Sequence, residues 1–259
     1  MIIFRPLVFI LVLLGSATAV AQQLSNAPVT ITIAKPEQAY PPYHWLEDGE
    51  VKGLVPDIIA ATSKAIGNVK VEYKVMPWKR MFELAKSGTI DAIMPINLNA
   101  ERQYYLNFVS EPLIMERMNF VTTNAFDVDF SGNLNDISQF DVAGIAGYYY
   151  GEAYQAAKFN TIELPNEETQ VKMLLAGRFP LALLDINILP FYINKLGGEK
   201  EHQVKVLEPH LYEAALHLAF AKNGKHALQA ETFSQALVKL KSSEQYQDIL
   251  STHLTTAVD

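Results

Sequence analysis

One arginine follows closely on a buried strand. Residues 90–96 form a short, mostly apolar run, which predicts a strand covered on both faces. Polar residues come directly after it, Asn97 and Asn99, and then Arg102. Ligands of open α/β sheets bind outside the carboxyl ends of the strands, and a guanidinium can hold a carboxylate through two hydrogen bonds. Arg102 is therefore a candidate carboxylate ligand, with a solvated surface charge as the ordinary alternative.

Aromatic side chains crowd the loop behind the first strand. Residues 29–34 alternate apolar residues with threonine and predict a strand, and the loop after it contains Tyr40 and Tyr43. These rings either pack over the edge of the sheet or contact a ligand, and both interpretations have similar weight. Trp78, at the start of a predicted helix, is likewise either a core anchor or part of a site wall.

Two further candidates follow strands in the second half of the chain. Residues 141–146 predict a strand that turns at Gly147 into Tyr148, and the backbone N–H groups of such a turn can hold an anion. Residues 179–184 predict another strand, and Asp185 is the first residue after it. An aspartate at this position either caps the next helix or binds a ligand, and its chemistry alone leaves both open.

The elements that must position these side chains alternate between strand and helix. Predicted strands at 29–34, 69–75 and 90–96 are separated by helical patterns, which is typical of a parallel sheet. Residues 118–123 predict a strand that leaves this unit. A second α/β unit then repeats the order of helix, glycine, buried strand and polar residue, as ELAKSGTIDAIM and MLLAGRFPLALLD illustrate. The repetition predicts two lobes of like architecture.

The stretch of residues 88–113 also resembles a known family, the bacterial extracellular solute-binding proteins of family 3. These proteins are the polar amino-acid receptors of ABC importers. The residues that carry the resemblance are Gly88, Asp91-Ala92-Ile93, Glu101-Arg102, Phe108 and Glu111-Pro112-Leu113. The resemblance implies an α/β protein with the two-lobed periplasmic-binding-protein fold of type II, each lobe a mainly parallel sheet flanked by helices. A two-segment hinge would join lobe 1, residues 22–123 plus 215–259, to lobe 2, residues 124–214.

The same resemblance implies roles for the candidate residues. In that family the matching arginine, Arg102 here, holds the α-carboxylate of the ligand, and the matching aspartate, Asp185, pairs with its α-ammonium. Tyr40 and Tyr43 match the aromatic residues that stack on the ligand, and Tyr148 replaces a threonine that shares the carboxylate. Trp78 would be a further wall residue, and Asn97 and Asn99 are further ligand-binding candidates.

The implied function is capture of a small polar ligand, an amino acid or related zwitterion, and its delivery to the membrane permease of an ABC importer. No cofactor, metal or catalytic residue is expected. The segment Asn97-Leu98-Asn99 replaces the Ser-x-Thr that is usual in the family, and Pro180 stands where an aspartate is usual. An unusual amino acid, a small peptide and a carboxylate without an amine therefore remain open as ligands.

Composition and the N-terminus restrict the partners, the chemistry and the cellular location of the protein. The 259 residues carry a formal net charge of −7, which argues against a nucleic-acid partner, and the absence of cysteine excludes disulfides and thiol catalysis. Arg5 precedes a short apolar run, and the small residues Ala19 and Ala21 fit an export cleavage site after residue 21. We therefore expect a signal peptide at residues 1–21 and a periplasmic mature protein, with an uncleaved membrane anchor as the alternative.

Two rival functions share the predicted fold. An enzyme, such as a dehydratase of cyclic acids, would need a carboxyl group of raised pKa, and Glu111, Glu116 and Glu152 are available without one standing out. A receptor that presents its ligand to a membrane sensor is the second rival, and the sequence does not separate it from a transport protein.

Overall fold

The computed structural model describes residues 28–148, 150–198 and 203–254. The predicted signal peptide, residues 1–21, lies outside the described residues. Within the three described ranges, no helix combines the length and the apolar composition that a bilayer span needs.

The described residues form twelve strands, eight α-helices and two short 3-10 helices. The strands are β1 (Val29–Pro36), β2 (Trp45–Glu47), β3 (Glu50–Lys52), β4 (Val69–Met76), β5 (Ala92–Asn97), β6 (Leu106–Phe108), β7 (Ile114–Thr123), β8 (Val142–Ile145), β9 (Thr161–Leu164), β10 (Leu181–Asp185), β11 (Val204–Val206) and β12 (Tyr212–Ala221). The α-helices are α1 (Leu54–Ile66), α2 (Trp78–Lys86), α3 (Ala100–Gln103), α4 (Gly151–Ala157), α5 (Glu167–Leu175), α6 (Leu189–Lys195), α7 (Gln229–Lys241) and α8 (Glu244–His253). The 3-10 helices are Leu134–Ile137 and Ile186–Ile188.

The first half of the main sheet is parallel, in the order β4-β1-β5, as the alternation of strands and helices predicts. Helices cover both of its faces. Ile33 of β1 belongs to the same buried cluster as Ile58 of α1. Ala34, the next residue of β1, packs instead with Met81 of α2. Successive side chains of β1 therefore enter different cores, which explains why the strand is almost continuously buried.

The second half repeats this arrangement with the parallel order β10-β8-β9. Ala143 of β8 shares a buried cluster with Val171 of α5. Its neighbour Val142 packs on the other face with Tyr154 of α4. The predicted likeness of the two halves is thus present in their strand order and in the helices on both faces.

Two long antiparallel strands join the halves. β12 pairs with β5 of the first half, and β7 pairs with β10 of the second half. β7 and β12 pair with each other from Ile114↔Leu216 to Met118↔Tyr212, so one sheet runs through both halves. The predicted lobe boundaries at 123/124 and 214/215 remain a prediction.

The strand β7 begins earlier than the sequence pattern predicts. It starts at Ile114 rather than at residue 118, and its first residues alternate between buried and exposed before the strand becomes fully buried. Charged Glu116 and Arg117 interrupt the apolar run, and this interruption hides a strand whose first part is covered on one face only. Glu116 therefore lies within β7 and not in a loop.

One glycine lies at a close backbone contact between the turn after α2 and the segment after β12. Gly88, just after α2, has φ +72°, and a Cβ atom there would lie 2.5 Å from the backbone oxygen of Asn223. Only glycine fits both the left-handed backbone and this close approach. The predicted role of Gly88 at the C-terminal end of a helix agrees with this geometry.

Candidate ligand-binding site

The loop that contains Tyr40 and Tyr43, which we call the aromatic loop, is held against the N-terminus of α1. The backbone N–H of Leu54 donates to the oxygen of Pro42, and that of Val55 donates to the oxygen of Tyr43, each at 3.0 Å. Gly53 allows this seating, since its φ is +124° and a Cβ atom would lie 2.5 Å from the Tyr43 oxygen. The loop thereby satisfies N–H groups at the start of the helix and holds Tyr43 in a defined position.

Tyr43 connects this loop to the end of β10. Its hydroxyl donates a hydrogen bond to Oδ2 of Asp185, 142 residues further along the chain. The hydroxyl oxygen also accepts a hydrogen bond of 2.9 Å from Nδ2 of Asn187. Both Tyr43 and Asp185 are only 1% exposed. Two residues that the sequence singles out separately therefore meet in one buried contact between the two halves.

Asp185 caps the 3-10 helix that follows it. Its Oδ1 accepts hydrogen bonds from the backbone N–H of Asn187 at 3.1 Å and of Arg117 at 3.3 Å. Burial raises the pKa of Asp185 to about 6, although its hydrogen bonds with Tyr43 and the two backbone groups favour the charged form. The capping interpretation of Asp185 agrees with the geometry, and its role towards a ligand remains a prediction.

Tyr40 contacts a carboxylate that the sequence does not distinguish from other glutamates. Its hydroxyl donates a 2.7 Å hydrogen bond to Oε1 of Glu116, and its ring lies 5.1 Å from that of Tyr43. The pKa of Glu116 is raised to about 7, chiefly by burial and then by the charges of Asp185 and Glu167, whereas the Tyr40 hydrogen bond opposes the rise. The charged pair Glu116-Arg117 inside a mostly apolar segment is the signal that the sequence offers for Glu116.

Tyr148 contributes from the second half. Its hydroxyl donates a 2.6 Å hydrogen bond to Oε1 of Glu167, the first residue of α5. Tyr148 is 41% exposed and Glu167 is buried. Burial raises the pKa of both groups, and the nearby charges of Glu167 and Glu116 raise that of Tyr148 further. Tyr148 is therefore a partly exposed aromatic residue next to a buried carboxyl group.

The turn before Tyr148 has fewer free donors than the sequence suggests. The backbone N–H of Ile145 donates to the hydroxyl of Tyr150, that of Ala146 to the oxygen of Leu164, and that of Tyr148 to the oxygen of Ile145. These three groups are occupied by the protein itself. These three groups therefore have no hydrogen left to donate to an anion, and an anion site at this turn stays a prediction.

We call six of these residues the junction cluster, because they gather where the two halves of the sheet meet. They are Tyr40, Tyr43, Glu116, Tyr148, Glu167 and Asp185. The cluster contains three carboxyl groups and three phenols. One cation lies near the cluster, because the charge of Arg117 lowers the pKa of Asp185. The Arg117 Nε, however, already donates a 3.0 Å hydrogen bond to Glu213.

Arg102 lies in a second group, which we call the arginine cluster. It is the third residue of the short helix α3, and Asn99 caps that helix by accepting a 2.8 Å hydrogen bond from the Arg102 backbone N–H. The guanidinium Nη1 donates to the backbone oxygen of Asn97 at 2.9 Å and to Oδ1 of the same residue. Its carbon lies 5.7 Å from the Trp78 ring centre and 5.1 Å from that of Phe82.

The arginine cluster thus brings together Arg102, Asn97, Asn99 and Trp78, all of which the sequence nominates. Trp78 is 43% exposed, so the core-anchor alternative for it is wrong. Arg102 forms no ion pair with a carboxylate in the part of the chain that the structure describes. A half-buried guanidinium held by neutral groups retains donors for an anion from outside the protein.

The sheet register relates the two clusters. Asn97 pairs with Leu216 of β12, which pairs in turn with Ile114 of β7, and Glu116 lies two residues further along β7. Two strand spacings of about 4.8 Å and two residues of about 3.4 Å place the Cα atoms of Asn97 and Glu116 about 12 Å apart. The arginine cluster and the junction cluster are therefore separate groups that border the same end of β5.

A cavity of about 320 Å³ lies to one side of the junction cluster. Its lining comes from α6, α8 and the segment before α6, and includes Asn187 and Phe191. The Phe191 ring lies 6.0 Å from that of Trp45, so the first half also contacts α6 there. None of the eight predicted site residues lines this cavity.

Two similar half-sheets are thus joined by two antiparallel strands, with a cluster of polar groups at the junction. The chain belongs to the bacterial extracellular solute-binding proteins, family 3, whose family model matches residues 32–256. No curated protein matches the chain. The family named from short motifs of the sequence is thus confirmed over nearly the whole described chain.

Solved structures of similar fold include type II periplasmic binding proteins. The L-cystine solute receptor of Neisseria gonorrhoeae is 21% identical, with a TM-score of 0.68 over 92% of this chain and 98% of that one. The probable amino-acid ABC transporter extracellular-binding protein ytmK from Bacillus subtilis is 15% identical, with a TM-score of 0.71 over 89% and 100%. A histidine kinase sensor domain is 19% identical, with a TM-score of 0.69 over 88% and 97%. At these identities the likeness establishes the fold, which confirms the predicted fold class.

Proposed function

We propose that this chain is an exported receptor that binds a small amino-acid-like zwitterion between two lobes and delivers it to an ABC importer. The observation that carries the proposal is the position of Arg102. Its guanidinium lies at the carboxyl end of β5, is oriented by Asn97, and has no carboxylate partner among the described residues. It borders a junction of carboxyl groups and aromatic rings.

The ligand's carboxylate would bind to Arg102. Since Asn97 occupies Nη1, the remaining guanidinium donors Nη2 and Nε are the ones available for a carboxylate. The rings of Trp78 and Phe82 lie within cation–π distance of the guanidinium carbon and help to hold the group in place. Asn99 acts indirectly, because its side chain caps the helix that carries Arg102.

The ligand would close the two lobes through contacts that exist only in the closed form. The lobes are residues 22–123 with 215–259, and residues 124–214. The Tyr43–Asp185 hydrogen bond already connects the aromatic loop of the first lobe to the second. Tyr40 and Tyr148 bring aromatic rings to the junction from the two halves, which suits a small ligand with an apolar backbone and charged ends.

Export to the periplasm and delivery to an ABC permease are supported by family membership and by the transporter proteins among the similar folds. The histidine kinase sensor domain of the same fold keeps a signalling partner as the alternative. The family and its structural neighbours are binding proteins rather than enzymes. Uptake of the labelled ligand by cells with and without this protein separates transport from signalling.

A thermal-shift screen over the twenty L-amino acids, dipeptides and organic acids tests the binding function. A free ligand concentration of about 100 times the Kd stabilises the folded protein by about 2.7 kcal/mol. This stabilisation raises the Tm of a protein of this size by roughly 5–10 °C. The absence of any shift across the panel would contradict the proposal.

The role of Arg102 is tested by calorimetry of Arg102→Ala with the strongest hit. Removing one partner of a hydrogen-bonded charge pair costs about 2–5 kcal/mol, so the affinity should fall at least thirtyfold. Arg178→Ala is the matched control, since Arg178 is an exposed arginine of the second half. Equal affinities of the two variants would remove Arg102 from the site.

A further inference from the structure

We propose that Glu116, rather than Asp185, is the carboxylate that receives the positive group of the ligand, and that Asp185 is an internal support held by Tyr43. This inference rests on the proposed receptor function and names one of its ligand-binding residues. It assigns Asp185 differently from the family resemblance, which pairs that aspartate with the ligand's ammonium.

Asp185 has little capacity left for a ligand. Its Oδ2 accepts from the Tyr43 hydroxyl, and its Oδ1 accepts from the backbone N–H groups of Asn187 and Arg117. The side chain is almost completely buried, and Tyr43, which covers it, is equally buried. A ligand's ammonium could reach Asp185 only after the Tyr43 hydroxyl had moved away. That movement would also break the hydrogen bond from Asn187 to the same hydroxyl.

Glu116 is in the opposite situation. Tyr40 donates to its Oε1, and no other hydrogen-bond donor among the described residues reaches its carboxylate. Within the same part of the chain, no lysine, arginine or histidine forms an ion pair with it. Its side chain is half-buried and keeps access from outside. A carboxylate with a free oxygen and no cation is suited to an ammonium group.

The position of Glu116 fits a ligand that is held at its other end by Arg102. Glu116 lies on β7 beyond the end of β5, on the side from which the loop with Arg102 emerges. The groups whose charges act on Glu116, or on which its charge acts, come from both halves of the molecule. They are Tyr40, Tyr43, Tyr148, Glu167 and Asp185. Glu116 is thus the group of the junction cluster that is coupled to all the others.

The surplus of negative charge around Glu116 favours a cation. Asp185 and Glu167 both act on Glu116, and Arg117, the cation that acts on Asp185, is already bonded to Glu213. Without ligand, burial holds part of the Glu116 population protonated near neutral pH, since its pKa is about 7. An ammonium group beside it would lower that pKa, and the proton would leave to solvent as the ligand binds.

The test compares Glu116→Gln with Asp185→Asn, using the strongest amine-bearing hit of the amino-acid screen. The glutamine side chain would keep an oxygen for the Tyr40 hydroxyl and lose the charge. We expect the affinity to fall at least thirtyfold in Glu116→Gln and less than fivefold in Asp185→Asn. Glu163→Gln, at an exposed position of β9, is the control for loss of a negative charge and should bind like the wild type.

A second measurement is independent of the stability of the variants. Calorimetry of the wild type at pH 7 in phosphate and in Tris should reveal release of about half a proton per ligand, and Glu116→Gln should remove this release. A larger loss of affinity in Asp185→Asn than in Glu116→Gln, or proton release that persists in Glu116→Gln, would overturn the assignment and leave the receptor function intact.

The screen itself separates the two proposals. Hits confined to amine-free acids such as succinate and 2-oxoglutarate would refute the role of Glu116 while supporting a receptor. A panel without any hit would refute both.

Discussion

Loss of the Glu116 charge should change how stability depends on pH. The pKa of Glu116 rises from its ordinary value of 4.5 to about 7 in the folded protein, chiefly through burial. A raised carboxyl pKa means that the folded state holds the proton more tightly than the unfolded state does. The resulting stabilisation of the folded state is fully present below pH 4.5 and is lost as the pH rises towards 7. Between these values Glu116 ionises freely only in the unfolded chain.

The magnitude follows from the interval between the two pKa values. At about 1.4 kcal/mol per pH step, the interval between 4.5 and about 7 corresponds to about 3 kcal/mol. Since the Glu116 side chain is only half-buried, solvent screening reduces the expected effect to about 2 kcal/mol. Glu116→Gln carries no titratable proton at this position and retains an acceptor for Tyr40.

Urea denaturation of ligand-free wild type and Glu116→Gln at pH 4.5, 6 and 8 measures this effect. Relative to the wild type, the variant should gain about 2 kcal/mol in its free energy of unfolding between pH 4.5 and pH 8. The other carboxyl groups titrate in both proteins and largely cancel in the difference. A difference that stays constant over this range would refute the inference that Glu116 is a half-buried carboxyl group without a cation partner.

Two other substitutions test the packing around the site and the fold. Tyr43→Phe removes the hydroxyl group that donates to the buried Asp185 carboxylate, so we expect a loss of about 1–3 kcal/mol of stability at pH 8. The loss should be smaller at pH 5, because Asp185 is then mostly protonated. A loss that does not depend on pH in urea denaturation would contradict this. Gly88→Ala should cost more stability than Gly49→Ala, because both glycines have positive φ but only at Gly88 would the new Cβ atom meet backbone, 2.5 Å from the Asn223 oxygen. Equal losses in thermal denaturation would show that the close approach is relieved without cost.

The architecture could be predicted because it depends on local signals. Residue periodicity marks β1 and β5, and glycines such as Gly88 end the helices between them. Alternation of strand and helix then restricts the topology to a parallel sheet with helices on both faces. These signals need only a few neighbouring residues, so a single sequence contains them.

The composition of the site was predicted in part. Position after a strand nominated Arg102, Asn97, Asn99 and Trp78, which the structure gathers into one cluster. Such positions are predictable because the carboxyl ends of parallel strands meet at one edge of a sheet. The separation of this cluster from Asp185 was not predictable, since a strand pattern does not fix how far apart the two half-sheets place their ends.

The sequence does not distinguish Glu116 from the other glutamates for a specific reason. Its meaning depends on β7 crossing from one half-sheet to the other, and the sequence pattern places the start of that strand two residues after it. Its partner Tyr40 is 76 residues away, and no local pattern indicates which carboxylate a loop tyrosine will meet. Buried polar contacts of this range depend on tertiary packing, which a single sequence does not display.

The two tyrosines of the aromatic loop leave the two carboxylates that they contact with different access to a ligand. Tyr43 is fully buried and closes off Asp185, whereas the partly buried Tyr40 donates one hydrogen bond to Glu116 and leaves an oxygen free. A hydrogen-bonded buried carboxylate stabilises the junction, and a half-open carboxylate of raised pKa gains most from an incoming cation because it has most to recover from desolvation. The same loop therefore supports the junction at one position and exposes a binding group at the other, and ligand charge rather than ligand shape should dominate selection at Glu116.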